Sequence, residues 1–370
     1  MKTLSRPLRA PALLGLAHGA ADGASGLLLG FLPLHFNLMQ AGALVMLYNL
    51  LAFAAQPLFG YLADRWRKPR VFAVAGLACV ATAMLIASFA PIIAVLVAGV
   101  GSGLFHVGGG ALTFQCAQGR AGSVGIFASP GVMGLALGGA MAVASLFPFV
   151  PLALGLALVG GLIAIVPIAS DAVSANLPSS GSGEHALEQH DLIMIALLAG
   201  IALRSAVWTT LDYLMHARGD MLLMMGVAAF SGKLAGGFLA DRIGWRTWAM
   251  GALAGAACLL TLFAQHMVAL LLGIALLQSA TPVALMAVYR AVPRYPATAA
   301  GLALGLAIAV GGLPVYSGVL PALASSLALG IVVAMAAVAL GWGITRQLGS
   351  SIRASLPTRS VPPAPAQNSG

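Results

Sequence analysis

His18 and Asp22 stand four residues apart in an apolar run near the start of the chain. On a helix they share one face, with backbones about 6 Å apart along the axis. An imidazole and a carboxylate so placed can exchange a hydrogen bond and handle a proton near neutral pH. His106, Arg204 and Lys233 also fall inside apolar runs. At bilayer depth an ionisable side chain costs roughly 2.5 to 3.5 kcal/mol on insertion scales, so each needs a partner, a water-filled cavity or a task. The chemistry this set predicts is proton coupling at Asp22, tuned or relayed by His18 and His106. Arg204, permanently charged, is expected to hold an anionic group or to pair with ionised Asp22 between cycles. Lys233 either snorkels to one membrane face or joins Arg204 in binding substrate. The plainer alternatives are a structural Asp22–Arg204 ion pair and histidines satisfied by backbone carbonyls.

The elements that must position these groups follow from hydropathy. Of the 370 residues 60% are hydrophobic and only 7% charged, too little polar surface for a water-soluble globule. A bilayer core needs about 20 apolar residues per helix, and runs of that length occupy 11–33, 39–62, 71–89, 92–116, 123–146 and 149–169, then 192–213, 221–240, 247–264, 267–288, 297–318 and 321–343. The expectation is an all-α membrane protein of 12 transmembrane helices in two six-helix bundles, 1–170 and 192–343. A Ser/Gly/Pro-containing linker at 171–191 joins them, and 344–370 reads as a disordered tail. The basic N-terminus lacks a convincing cleavage site and reads as a retained first helix.

Threaded this way, fifteen of the 18 Lys and Arg residues lie on one side, Arg218 alone lies on the other, and Arg204 and Lys233 lie within spans. This asymmetry puts both termini in the cytoplasm of a bacterial-type inner membrane. The formal charge of +9 is too scattered for a nucleic-acid stripe. Cys79, Cys116 and Cys258 have no metal or disulfide spacing, so no cofactor is expected. The glycine series from Gly99 to Gly110 has no preceding strand and reads as close helix packing, not a dinucleotide loop. His216, Met221 and Met225 around one turn offer soft donors that suit Cu(I), against the commoner packing role of methionine.

The loop from Gly60 reads Gly-Tyr-Leu-Ala-Asp64-Arg65, and that from Gly237 reads Gly-Phe-Leu-Ala-Asp241-Arg242, 177 residues later and at the matching place in the second half. Paired strings in register mark an internally duplicated transporter. They resemble the signature loop of the major facilitator superfamily. The first copy lacks that loop's second glycine and the second copy its paired basic residues. The resemblance implies that Asp64 faces the start of the eleventh helix, near Ala297 and Thr298, and closes the cytoplasmic side. Otherwise these charges merely mark the membrane boundary. His18, the string Gly103-Leu104-Phe105-His106 and Arg204 are similar to the fosmidomycin-resistance type of drug exporters, with Val107 where that group has proline. The implied activity is secondary active transport, in monomeric form, with a small-molecule substrate, protons and membrane lipid as partners. Proton-coupled export of a small anionic or amphipathic organic molecule leads, ahead of proton-coupled uptake of a metabolite or copper and of a non-transporting receptor or assembly factor. No enzyme motif such as HExxH or GxSxG is present.

Overall fold

A computed structural model describes residues 6–168, 184–215 and 219–355, and every regular element among them is helical. The first half contains α1 (Arg6–Phe31), α2 (Leu38–Trp66), α3 (Pro69–Ile86), α4 (Pro91–Cys116), α5 (Ala121–Val143) and α6 (Phe149–Ile165). The second contains α7 (Glu184–Met215), α8 (Gly219–Ile243), α9 (Trp245–Leu262), α10 (Met267–Ala291), α11 (Pro296–Val315) and α12 (Ser326–Ser355). Ten of these are long and apolar enough to cross a bilayer, and the apolar α6 (17 residues) and α9 (18 residues) complete the twelve. Proline opens α3, α4 and α11, where its fixed φ suits a first turn and its missing N–H costs nothing.

The two halves repeat one packing scheme. Helix α1 lies on α5 as α7 lies on α11, and α3 bridges α4 and α6 as α9 bridges α10 and α12. The α1–α5 contact depends on glycine: a side chain at Gly134 or Gly138 would run into the carbonyl of Gly19 or Gly23. Without a hydrophobic driving force between helices in lipid, such backbone-to-backbone approach supplies the attraction. The glycines of α4 act as expected, with Gly108 against Ala73 of α3 and Gly110 against Ala300 of α11.

Between the halves, α5 packs along α8 from Gly122 and Phe238 to Gly139 and Leu222. Helix α2 meets α11 from Gly60 and Ala297 up to Phe53 and Gly305. There each helix widens into a π-helical turn, Leu50–Ala54 in α2 and Gly301–Leu306 in α11, and the two turns face one another. The remaining stretch of α2, Leu38–Asn49, makes no comparable contact with α11. The α2–α11 seam is therefore closest at the end rich in basic residues, while α5 and α8 stay in contact along their length.

Two boundaries differ from those read off hydropathy. Helix α7 begins at Glu184, inside the stretch assigned to the linker, and α12 runs to Ser355, twelve residues into the assigned tail. Hydropathy sees only the lipid-embedded part of a helix, whereas the backbone ladder continues wherever neighbours support it. His190 Nε2 donates to the Ala291 carbonyl at 2.9 Å, and Gln347 Nε2 to that of Ala287 at 2.8 Å, tying both extensions to α10. The rest of the linker, 171–183, and of the tail, 356–370, lies outside the described residues.

Candidate functional site

The first cluster is built by α1, α4 and α5. His18 Nδ1 donates to the carbonyl of Phe127 at 2.9 Å, and His106 Nδ1 to that of Ser102 at 2.8 Å. The far nitrogens then point inward: His18 Nε2 lies 3.1 Å from His106 Nε2 and 3.2 Å from Asp22 Oδ2, and His106 Nε2 lies 3.6 Å from Asp22 Oδ1. The His18 ring stacks on Phe127 at 4.6 Å and meets His106 edge-on at 4.8 Å. Gly131, one turn beyond Phe127, has no room for a side chain because the His18 ring fills that space. Both histidines are buried, and Asp22 is the most accessible member, with 18% of its side chain exposed.

Tyr48 of α2 completes this cluster. It is buried, its hydroxyl faces the side chains of Ser25 and Ser102, and it lies within Coulombic range of Asp22. A search for ionisable groups within apolar runs passes over it, because a tyrosine in a span is ordinary. The usable signal is the accompanying Ser25 and Ser102, hydroxyls on neighbouring helices at the same depth.

The second cluster belongs to the other half. Arg204 of α7 is 4% exposed and donates through Nη1 to Gln278 Oε1 of α10 at 2.8 Å. Gln278 also accepts from Thr281 at 3.2 Å. The Arg204 Nε–H is buried without an acceptor. Lys233 sits in the middle of α8, roughly 15 Å from the helix end at Ile243, partly buried and within Coulombic range of both Arg204 and Asp22. It faces the centre and does not snorkel. Among the described residues no carboxylate lies within ion-pair distance of Arg204 or Lys233, so the direct Asp22–Arg204 pair is not formed. Gln278, like Tyr48, carries no charge that would single it out within an apolar run.

The duplicated loops form two matching contacts at the basic end. Asp64 accepts from the backbone N–H groups of Ala297 at 3.0 Å and Thr298 at 2.7 Å, and from the Thr298 hydroxyl at 2.7 Å. Asp241 accepts from the N–H groups of Ala121 at 2.9 Å and Gly122 at 2.8 Å, and from the Trp245 indole at 3.0 Å. Each carboxylate thus satisfies orphan donors at the N-terminus of a helix from the opposite bundle, where the helix dipole favours negative charge. Gly60 and Gly237 allow the approach, since a side chain at either would collide with the Ala297 or Ala121 carbonyl. Arg65 and Arg242 are exposed and take no part in these bonds. Arg290 braces the second contact from beside it: its guanidinium lies 3.8 Å over the Trp245 ring and donates to the Gly119 carbonyl at 2.9 Å.

The soft-donor cluster is not assembled by the described residues. Met221 and Met225 are buried in the main apolar core, four residues apart on α8, in the packing role. His216 lies outside the described residues.

No curated protein sequence matches the chain. Solved structures of the same fold include a variant of the E. coli fucose:proton symporter FucP, 14% identical, with 92% of this chain and 98% of that one aligned at a TM-score of 0.70. FucP in its outward conformation aligns with a TM-score of 0.68 at 13% identity, over 92% of this chain and 98% of that chain. The human organic anion transporter MFSD10 (TETRAN) aligns over 93% of this chain and 100% of its own at 16% identity and a TM-score of 0.65. None of these singles out the fosmidomycin-resistance type. The profile of the Major Facilitator Superfamily matches residues 12–315, and the chain belongs to that superfamily, as a multi-pass membrane transporter and not an enzyme.

Proposed function

We propose that this protein is a proton-coupled carrier of a small organic anion, working by alternating access, in which proton and anion cross together. The observation that carries this reading is the placement of charge. Two cations at midspan, the buried Arg204 and the partly buried Lys233, have no carboxylate at ion-pair distance among the described residues, and the carboxylate within Coulombic range of Lys233, Asp22, is held by two histidines in the other bundle. Uncompensated charge at this depth is costly, so a ligand oxyanion is the natural partner for the free Arg204 Nε–H.

The coupling follows from electrostatics. Without its proton, the His18–Asp22–His106 triad is negative; it offsets the two cations and repels an incoming anion. With the proton it is neutral, and Arg204 and Lys233 are left to a carboxylate or similar group. Proton and anion then bind cooperatively, and by linkage each raises the affinity for the other by the same factor. Positive-inside placement makes the latched basic end cytoplasmic, with both termini on that side of an inner membrane. On this reading the latched state is the outward-facing one, in which both ligands load. Release requires the Asp64 and Asp241 contacts to break as the bundles rock about the midplane.

Under an inward proton gradient this sense of coupling is uptake, the alternative to the export expected from sequence. Exchange would require solute and proton to compete for one site, as a cationic amphipath would at Asp22, and two nearby unpaired cations oppose that. The test is flux of radiolabelled organic acids into proteoliposomes with imposed pH gradients. Acid on the uptake side is expected to speed anion entry at least tenfold. Asp22→Asn should flatten that pH dependence, and Arg204→Gln should abolish saturable binding. Flux driven by the opposite gradient would establish exchange, and binding without flux would establish a receptor.

A further inference from the structure

We infer that the site's proton is carried by the imidazoles, one proton shared between His18 Nε2 and His106 Nε2, and that Asp22 stays ionised throughout as its counter-ion. This deepens the proton-coupled reading above and rests on it for its role in transport, but the location of the proton follows from geometry alone.

A backbone carbonyl can only accept a hydrogen bond. His18 Nδ1 sits 2.9 Å from the Phe127 carbonyl and His106 Nδ1 2.8 Å from that of Ser102, so both Nδ1 atoms carry hydrogen. The Ser102 hydroxyl, 3.3 Å from the same His106 nitrogen, cannot then donate to it. Each neutral ring consequently turns a bare lone pair on Nε2 toward the centre. Those two lone pairs are 3.1 Å apart, and the Asp22 oxygens complete the ring of acceptors at 3.2 and 3.6 Å. With no proton in the middle, acceptors face acceptors at hydrogen-bond distance and nothing joins them.

One proton resolves this in two ways. Placed on Asp22, it makes a bond to His18 but leaves the Nε2 lone pairs opposed at 3.1 Å. Placed on His18 Nε2, it makes an N–H···N bond between the rings and an imidazolium beside a carboxylate, so the two shortest separations, 3.1 and 3.2 Å, both become attractive and only the longer 3.6 Å one is left between acceptors. Only the second arrangement makes the 3.1 Å approach of the two rings attractive. The other groups facing the pair are consistent with a single mobile proton. Tyr48, Ser25 and Ser102 are neutral hydroxyls, while Lys233 is a cation that opposes a second proton on the rings. The charge carried per cycle is therefore one, and the protonated cluster is neutral as a unit. The step is a simple transfer: a proton from water binds an Nε2 lone pair on one side of the membrane and leaves it to water on the other.

The test is infrared difference spectroscopy of the full-length protein in lipid nanodiscs, stepped across the pH range of transport. One sample carries ¹³C-aspartate and another ¹⁵N-histidine. The expected result is an imidazolium ring band at acid pH that shifts with the histidine label and is lost in His106→Gln, with no protonated-carboxyl band that shifts with the aspartate label. A label-sensitive carboxyl band appearing on acidification, absent in Asp22→Asn, would put the proton on Asp22 and overturn the inference. So would a cluster that stays silent to pH but changes on addition of Zn²⁺, because a metal ion would then be what joins the three acceptors. The labels tell imidazolium from carboxyl in the unaltered sequence, and the variants serve to assign the band to His106 or Asp22. Failure here is distinct from failure of the transport reading: pH-independent flux with an imidazolium band present removes the coupling and leaves the proton where it is placed.

Discussion

Asp64 and Asp241 occupy the same position in the two copies of one loop, and each caps a helix of the opposite bundle, but the contacts differ in depth and in what lies behind them. Asp64 is partly buried and gathers three donors from one helix start, two backbone N–H groups and the Thr298 hydroxyl. Asp241 is exposed, and its third donor is the Trp245 indole of its own half, a ring braced by Arg290. The helix that Asp241 holds, α5, also presents the Phe127 carbonyl to His18, about one and a half turns further along. The helix that Asp64 holds, α11, meets α7 through Gly311 against Ala202 and Ser205. Duplication therefore supplied one mechanical part twice, while the His18–Asp22–His106 cluster lies in one half and the cations without a carboxylate at ion-pair distance lie in the other. Asp64 gathers its donors at the less exposed position, and the Asp241 contact is the one joined through a single helix to the proposed proton site.

Three substitutions probe this difference, beginning with the largest effect. Asp64→Ala removes a charged acceptor from three donors and leaves the α11 start unsatisfied, a loss of about 2 kcal/mol. The closed basic end should lose roughly 30-fold in population, read as increased labelling of a cysteine introduced near Thr298 in a background lacking Cys79, Cys116 and Cys258. Asp241→Ala should cost less, about 1 kcal/mol or roughly fivefold in the same assay, because water competes at its exposed site. That variant should also change the pH dependence of transport, and Asp64→Ala should leave its midpoint in place. Equal effects on labelling, or a midpoint shift in Asp64→Ala alone, would remove the proposed division of labour. Trp245→Phe keeps the ring under Arg290 and deletes only the indole N–H, so a change within about two- to threefold is expected. A larger loss would mean that the indole bond, and not the α5 cap, carries the second latch.

The sequence by itself determined the class of the molecule. Lipid leaves no alternative to helices for long apolar runs, so 12 elements, their order and the duplicated loops were all legible from hydropathy and repeat. Asp64 was matched to Ala297 and Thr298 through the family resemblance alone, and the contact is present. His18 and Asp22 could be paired because four residues on one helix fix their spacing. What only the tertiary structure decided were relations between helices. The contact of His106 with both of them, the anchoring of each Nδ1 on a carbonyl, the Gln278 partner of Arg204 and the inward placement of Lys233 all depend on how separate helices rotate and close. That rotation is set by glycine contacts such as Gly19 with Gly134. Hydropathy records how deep a residue lies in the bilayer but not which way it points. The neutral polar groups of the site, Tyr48 and Gln278, therefore came into view only once the helices were packed.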